Sequence, residues 1–108
     1  MLDLSGRKAF ITGGSRGAGR AIAQSFARYG AEVVIGYNRD QDAAEETINS
    51  IKEIGQNAYS IKVNISDYDE VKTAIDFAES KMGSIDILVN NAGIASRGKS
   101  VADTEVQE

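Results

Sequence analysis

The glycine-rich segment Thr12–Gly19 constrains the fold of this chain more than any other feature of its sequence. It follows the apolar run Ala9–Ile11, which is typical of a strand, and it precedes a helical pattern over Arg20–Tyr29. A turn from a strand into a helix makes a phosphate-binding loop, because the first amides of a helix lack intrahelical partners and carry partial positive charge. A glycine-rich surface loop is the plainer alternative, and the strand–loop–helix context favours phosphate binding.

Three glycines of this segment have separate expected roles. Gly13 suits a sharp turn after the strand, where a positive φ would penalise any side chain. Gly17 would let a pyrophosphate approach the backbone, and Gly19 would let the helix pack closely on its strand.

The loop that binds nucleoside triphosphates is a competing interpretation of the same segment. Gly14 and Gly19 have its G-x-x-x-x-G spacing, but Arg20 stands at the position of its lysine and Ala21 at that of its Ser or Thr. Without that hydroxyl no side chain is available there to hold Mg²⁺, so the sequence disfavours a triphosphate site.

Composition and charge exclude several classes of function. The chain has 108 residues, enough for one domain at most, and its 12 basic and 16 acidic residues are interspersed, which gives no footprint for nucleic acid or anionic membrane. It has no cysteine and no histidine, so thiolate and imidazole chemistry are excluded within these residues. No apolar stretch approaches the ~20 residues of a membrane span, and no signal-peptide pattern is present, so we expect a soluble cytoplasmic protein.

The chain after the glycine segment alternates strands and helices. Gly30 ends the first helix, and the apolar run within Ala31–Gly36 indicates a strand buried on both faces, as parallel sheets require. Asp40 can cap a second helix, which ends at Gly55. A third strand over Tyr59–Val63 has the period-2 pattern of a half-exposed edge strand.

The third helix begins with a pattern similar to a capping box, because Asp67 is followed by Glu70 three residues on, and it ends at Gly83. Ile85–Val89 is predicted as the fourth strand, residues 90–100 as a polar loop, and Thr104 as the cap of a last helix. Strict alternation with short connections predicts an α/β fold with a doubly wound parallel sheet of strand order 3-2-1-4.

The carboxyl ends of the four strands carry the unusual polar and glycine residues of the chain. Ligands bind across this edge in such sheets, so four polar ends favour one extended ligand over four ordinary loops. The four segments are Thr12–Gly19, Tyr37–Arg39, Asn64–Ile65 and Asn90–Gly93.

Two of these segments resemble those of the short-chain dehydrogenase/reductase family. Thr12–Gly19 has the T-G-x-x-x-G-x-G spacing of the family's cofactor loop, and Asn90–Gly93 is similar to its N-N-A-G segment. The resemblance covers the whole chain. Two departures are Ala18, where the family usually has a larger aliphatic residue, and Asn64, where it commonly has Asp.

The resemblance implies a Rossmann-type domain of which residues 1–108 are the incomplete NADP-binding part. An asparagine carbonyl at position 64 can still accept a hydrogen bond from the adenine amino group. The residues implied in cofactor binding are Gly13, Ser15, Arg16, Gly17, Ala18, Gly19, Tyr37, Asn38, Arg39, Asn64, Ile65, Asn91, Ala92 and Gly93.

The end of the second strand indicates NADP as the cofactor. An acidic residue there would bind the ribose 2′-hydroxyl of NAD, but Tyr37 occupies that place. Arg39 offers a planar, permanently charged fork for the 2′-phosphate, and Arg16 can reach the same phosphate from the glycine loop. The alternative is that both arginines are solvated surface charges. Tyr37 either stacks near the adenine or is an exposed loop residue.

The resemblance assigns no catalytic residue to this chain. The family's tyrosine, lysine, serine and asparagine lie beyond its N-N-A-G segment. Tyr68–Lys72 matches Y-x-x-x-K but precedes N-N-A-G at the start of the third helix, so we interpret it as helix surface. We therefore expect a fragment of a longer protein.

The resemblance implies an NADP(H)-dependent oxidoreductase that acts on a carbonyl/alcohol pair. The segment Ile85–Ile94 is most similar to that of the family's 3-oxoacyl-acyl-carrier-protein reductases, which implies a small-molecule or acyl-carrier-bound substrate and a homo-oligomer when full length. A non-catalytic dinucleotide-binding module or sensor is the alternative.

Overall fold

Four strands and three helices alternate along the part of the chain that the computed structural model describes, residues 3–15 and 17–91. In order they are β1 (Lys8–Thr12), α1 (Gly17–Arg28), β2 (Glu32–Tyr37), α2 (Gln41–Ile54), β3 (Ala58–Lys62), α3 (Tyr68–Met82) and β4 (Ile87–Asn90). The predictions for Arg16, for Ala92 and Gly93, and for a helix starting at Thr104 lie outside the described residues.

The four strands form one parallel sheet of order β3-β2-β1-β4, which confirms the predicted topology. The register places Phe10 of β1 beside Val34 of β2 on one side and Leu88 of β4 on the other. The sheet is flanked by helices on both faces, because α1 and α2 pack on one face and α3 on the other. This is the Rossmann-type doubly wound arrangement.

The strand β2 shows why the core has two halves. Val33 and Ile35 belong to the hydrophobic cluster under α1 and α2, whereas Val34 belongs to the cluster under α3. All three side chains are completely buried, as expected for a central strand covered on both faces. After Ala58 the edge strand β3 has three partly buried residues and then the exposed Lys62, which confirms its predicted position.

Helix α2 begins and ends where its sequence signals indicate. The side chain of Asp40 accepts a hydrogen bond from the Ala43 amide at 2.9 Å, and Gly55 closes the helix in the left-handed conformation with φ of 106°.

At the start of α3, Asp67 forms the predicted N-cap, but Glu70 does not complete a capping box. Asp67 accepts hydrogen bonds from the amides of Asp69 and Glu70 at 3.0 and 3.3 Å. In a capping box Glu70 would bind the Asp67 amide in return. Its carboxylate instead accepts from the Asn64 amide at 2.8 Å, so it joins α3 to the end of β3.

Several boundaries differ from the sequence prediction by one to three residues, including one at each end of β3. Strand β4 starts at Ile87 instead of Ile85, because Asp86 exchanges two hydrogen bonds with the backbone of Lys8 before the ladder begins. Helix α1 starts at Gly17, three residues before the predicted Arg20. Strand β2 runs one residue further than predicted and ends at Tyr37.

Candidate functional site

Hydrogen bonds hold the carboxyl ends of neighbouring strands together at one edge of the sheet. The Gly13 amide donates to the Gly36 carbonyl at 2.8 Å, which joins the ends of β1 and β2. The Val63 amide donates to the Tyr37 carbonyl at 2.7 Å, which joins β2 and β3. The described parts of all four predicted ligand segments therefore lie along this edge.

The glycine loop has the positive φ that its sequence predicts at Gly13, and Gly17 shares it. Gly13 has a φ of 68° and Gly17 a φ of 63°, both in the left-handed region that favours glycine. Gly17 and Ala18 are exposed at the start of α1, whereas Ser15 is only 8% exposed. A Cβ atom on Gly17 would meet none of the described atoms within 4 Å outside its neighbours, so the space above this backbone is open for a ligand.

At Gly19, α1 lies directly against the start of the glycine loop just after β1. A Cβ atom at this position would collide with the carbonyl of Gly13, and it would lie 2.9 Å from Nδ2 of Asn91. The predicted role of Gly19 in close packing is therefore confirmed.

Gly14 has a packing role that the sequence analysis did not assign. Its Cβ would lie 2.7 Å from Cγ2 of Ile35, so the loop rests directly on β2. Nothing in the local pattern distinguishes this glycine from its neighbours, because the contact is made by a strand more than twenty residues away.

The electrostatics of α1 suit an anion at its amino terminus. Its first turn contains no acidic residue, whereas α2 has Asp42 and α3 has Asp69 and Glu70 in theirs. The partial positive charge of the first amides of α1 is therefore left uncompensated by its own first turn.

Thr47 of α2 is a site residue that the sequence analysis missed. It is completely buried, and its Oγ1 atom lies 2.9 Å from the carbonyl oxygen of Ser15 in the glycine loop. A signal was present, because Thr47 interrupts an apolar helical stripe of Ala44, Ile48 and Ile51.

The end of β2 presents one half-buried and two exposed side chains. Tyr37 packs against the core cluster under α1 and α2, so it is not an exposed loop tyrosine. Asn38 and Arg39 are exposed, and Arg39 forms no ion pair with any residue of the described ranges. Asp40, the nearest carboxylate along the chain, binds the Ala43 amide at the start of α2.

The end of β3 is organised by Asn64. Its Oδ1 atom accepts a hydrogen bond from the Ser66 amide at 2.9 Å, and its carbonyl accepts from the Asp67 amide at 3.0 Å. A carbonyl oxygen has two lone pairs, so Oδ1 can accept one further hydrogen bond. Ile65, beside it, borders a cleft together with Thr12 and Asn90.

Asn90, the last residue of β4, and Asn91 after it bind the end of β1 and the glycine loop. Oγ1 of Thr12 lies 3.0 Å from Oδ1 of Asn90, and Nδ2 of Asn91 donates to the Gly13 carbonyl at 3.4 Å. The amide side chain of Asn91 therefore binds the backbone of the glycine loop.

Two other sequence features prove to lie on the surface. Nη1 of Arg20 is 3.7 Å from Oε1 of Glu46 on α2, so this arginine pairs with a neighbouring helix. Tyr68 is 78% exposed and Lys72 is also exposed on α3.

A cluster of charged side chains lies at the amino ends of the strands, opposite the candidate ligand site. Lys8, at the amino end of β1, forms an ion pair of 2.8 Å with Glu32, and this hydrogen bond raises the pKa of the lysine. Within residues 3–15 and 17–91, no cluster of acidic side chains could hold a metal ion, and no helix is long and apolar enough to cross a membrane.

Curated relatives match most of this chain with about a third of their own length. The chain is 43% identical over 88 residues to the 3-oxoacyl-[acyl-carrier-protein] reductase FabG of Staphylococcus aureus, covering 82% of the chain and 36% of that protein. It is 38% identical over 96 residues to the trihydroxynaphthalene reductase PfmaI of Pestalotiopsis fici, covering 89% of the chain and 34% of that protein.

Solved structures share the fold of the described residues. A short chain dehydrogenase of Burkholderia cenocepacia in complex with NADP matches with a TM-score of 0.81 and 39% identity, over 93% of this chain and 42% of that one. Carveol dehydrogenase of Mycobacterium avium in complex with NAD matches with a TM-score of 0.81 and 26% identity, over 85% and 37%.

The family model of the short chain dehydrogenases matches residues 7–108, nearly the entire chain. The glycine loop, the parallel sheet of order β3-β2-β1-β4 and the asparagine pair at the end of β4 agree with that match. The chain belongs to the short-chain dehydrogenase family of oxidoreductases, whose members it matches over the first part of their fold.

Proposed function

We propose that the full-length protein containing this chain is an NADP(H)-dependent oxidoreductase that interconverts a carbonyl and an alcohol. NADP supplies or accepts the hydride when it is bound. The residues of this chain bind and orient the cofactor, and the proposal assigns them no proton transfer. A cytoplasmic location and a homo-oligomeric state remain predictions.

The pyrophosphate is proposed to bind at the glycine loop. The exposed backbone of Gly17 and Ala18 and the first amides of α1 offer donors and a favourable dipole there. Gly13 and Ser15 shape the turn beneath them, and Gly19 brings the helix close to the sheet.

The adenine half is proposed to lie across the ends of β2, β3 and β4. Asn64 can accept from the adenine amino group with its second lone pair, and Ile65 would contact the ring. Asn91 borders this region from the glycine loop. Ala92 and Gly93 belong to the same proposal, although they lie outside the described residues.

One observation supports the preference for NADP. Arg39 is exposed just after the end of β2, where an NAD-specific site would have a carboxylate. Tyr37 ends β2, and the nearby Asp40 side chain already binds the Ala43 amide. Arg39 can therefore approach a 2′-phosphate without competition from an ion pair within the described ranges. Arg16 is proposed as the second phosphate ligand and lies outside those ranges.

Substrate class is proposed from the relatives. FabG is named for reducing a 3-oxoacyl group on acyl-carrier protein, and PfmaI for reducing trihydroxynaphthalene. Both names describe reductases. We propose a small-molecule or acyl-carrier-bound carbonyl as the substrate, with the 3-oxoacyl thioester as the first compound to assay.

The test is a pair of titrations of the full-length protein with NADPH and NADH. NADPH should bind more tightly, and Arg39→Ala should weaken NADPH by about 10- to 150-fold, since a hydrogen bond to a charged group contributes roughly 1.5–3 kcal/mol. NADH should bind the variant as it binds the unmodified protein.

The matched control is Arg28→Ala, which removes an exposed arginine from the last turn of α1, far from the ligand edge. It should leave both dissociation constants unchanged. Equal dissociation constants for NADPH and NADH in the unmodified protein would contradict the NADP assignment.

A further inference from the structure

The glycine loop is held at three points by three different elements. Its start is bound to β2, because the amides of Gly13 and Gly14 both donate to the Gly36 carbonyl, at 2.8 and 3.3 Å. Its end is fixed by α1, since Gly19 packs directly on Gly13. Its middle is bound to α2 through the Ser15 carbonyl and the hydroxyl of Thr47.

The hydroxyl of Thr47 has two acceptors within reach. Oγ1 is 2.9 Å from the Ser15 carbonyl and 3.0 Å from the Ala43 carbonyl one turn earlier in α2. A threonine hydroxyl has one proton, so the two carbonyls share it. Bonding to Ala43 is available to a threonine in any helix. The contact with Ser15 depends on the loop lying where it does.

We propose that Thr47 is a positioning residue for the phosphate-binding loop. Its buried hydroxyl holds the Ser15 carbonyl toward α2, and so keeps the loop in the conformation that presents its amides to a pyrophosphate. This inference rests on the proposed function, and it adds a residue that contacts neither cofactor nor substrate.

The physical reason is the cost of a buried carbonyl without a donor. Ser15 is 8% exposed and Thr47 completely buried, so water does not readily replace the missing hydroxyl. Such a group costs free energy unless it finds a partner, and the loop can relieve the cost by moving its middle toward solvent. Only the fraction of molecules in the original loop conformation then binds, and the apparent dissociation constant rises by the inverse of that fraction.

Two substitutions at Thr47 separate positioning from stability. Thr47→Val keeps the branched shape and buried volume but removes the proton donor. Thr47→Ser keeps the donor and removes a buried methyl group, which lowers stability by leaving a small cavity. If the hydroxyl positions the loop, the valine variant should lose affinity and the serine variant should keep it.

Ser50→Ala is the matched control on the same helix. Ser50 accepts a hydrogen bond from Nε2 of Gln24 at 3.0 Å and donates to the Thr47 carbonyl at 2.7 Å. Removing it breaks two side-chain hydrogen bonds of α2, neither of which reaches the glycine loop.

The experiment measures three quantities on the full-length protein and these variants. They are the dissociation constant of NADPH, the urea midpoint of unfolding, and amide hydrogen exchange over the segment 13–19 without cofactor. Thr47→Val should weaken NADPH by about 5- to 30-fold and speed exchange in the segment, as expected for one lost hydrogen bond and a buried carbonyl left unpaired. Thr47→Ser and Ser50→Ala should keep the dissociation constant within about twofold.

Two affinity results would overturn the inference. One is a Thr47→Val variant that binds NADPH as tightly as the unmodified protein. The other is a loss of affinity in Thr47→Ser as large as that in Thr47→Val, because both variants would then act through stability alone. An unmodified protein that binds neither NADPH nor NADH would contradict the proposed function itself, whereas slow exchange of the segment in Thr47→Val would contradict only the role of Thr47.

Discussion

Gly17 combines a left-handed backbone with open space above it. Its φ is 63°, and a Cβ atom there would meet no described atom within 4 Å outside its neighbours. A side chain at this position is therefore penalised by backbone conformation, and it would also occupy the space proposed for the pyrophosphate. Gly55 at the end of α2 separates the two effects. It also has a positive φ and open space at the Cβ position, but it lies outside the proposed pyrophosphate site.

We expect Gly17→Val to abolish measurable NADPH binding, and Gly55→Val to leave it unchanged. Both substitutions force a β-branched residue into positive φ with an open Cβ position, so both should lower the free energy of unfolding by about 1–2 kcal/mol or more. Calorimetric titration with NADPH, beside urea unfolding of each variant, checks this. Unaltered cofactor binding by Gly17→Val would place the ligand elsewhere.

The sequence predicts the role of a site residue when that role depends on the residue's own backbone conformation or on the absence of its side chain. Gly13 and Gly19 could be assigned because a positive φ or a close approach demands glycine itself. Gly14 and Thr47 could not, because their roles come from Ile35 and Ser15, which only the folded chain brings to them.

The first turn of α3 is hydrogen-bonded to the segment after β3 that is proposed to meet the adenine. Asp67 caps its first turn, and Glu70 of that turn binds the amide of Asn64 at the end of β3. Asn64 in turn accepts from Ser66 and Asp67. The conformation proposed to meet the adenine therefore depends on the start of this helix.

Asp67→Ala should lower the free energy of unfolding by about 0.5–2 kcal/mol, the usual cost of losing an N-cap. Asp76→Ala, an exposed carboxylate within the same helix, removes the same charge without a cap. Urea unfolding of both variants should show the loss for Asp67 only. Equal losses would mean that the effect comes from charge and that the two capping hydrogen bonds add little.

The ends of α2 and α3 were predicted well and the start of the fourth strand less well, for a physical reason. Asp40, Gly55, Asp67 and Gly83 are local signals that act within one turn of the helix. The start of β4 is set by the pairing of Asp86 with Lys8, 78 residues earlier in the chain, and no local pattern reports it.

In the described part of the molecule, the helices cover β1, β2 and β3 more fully than β4. Helices α1 and α2 pack over β1, β2 and β3, and α3 packs over β1, β2 and β3 from the other face. At the edge, Leu88 of β4 is 61% exposed, and an open cleft of about 160 Å³ lies between it and Val71 and Ile75 of α3. Within residues 3–15 and 17–91, β4 pairs with β1 and is the last strand on its side of the sheet.

This edge predicts that the isolated 108-residue chain self-associates. Terminal strands of a sheet with exposed apolar side chains such as Leu88 recruit other chains, and the cleft beside α3 adds apolar surface. Sedimentation velocity of the purified chain should show oligomers whose fraction grows with concentration. Leu88→Lys should reduce them, since a charged residue on an edge strand opposes pairing. Tyr68→Lys, which alters a 78% exposed aromatic on α3, should not.

The same preparation should oxidise no NADPH with a ketone or a 3-oxoacyl thioester. The resemblance implies that the family's tyrosine, lysine, serine and asparagine lie beyond the N-N-A-G segment, so this prediction assigns no proton transfer to the residues of this chain. The assay should be repeated with Leu88→Lys at concentrations where that variant is monomeric. Inactivity of the monomer then reflects a lack of catalytic groups and not aggregation. A monomer that reduced the substrate would contradict this prediction. Tyr68 and Lys72, which lie four residues apart on the exposed start of α3, would then be the first pair to substitute, because the Y-x-x-x-K spacing would have proved functional after all.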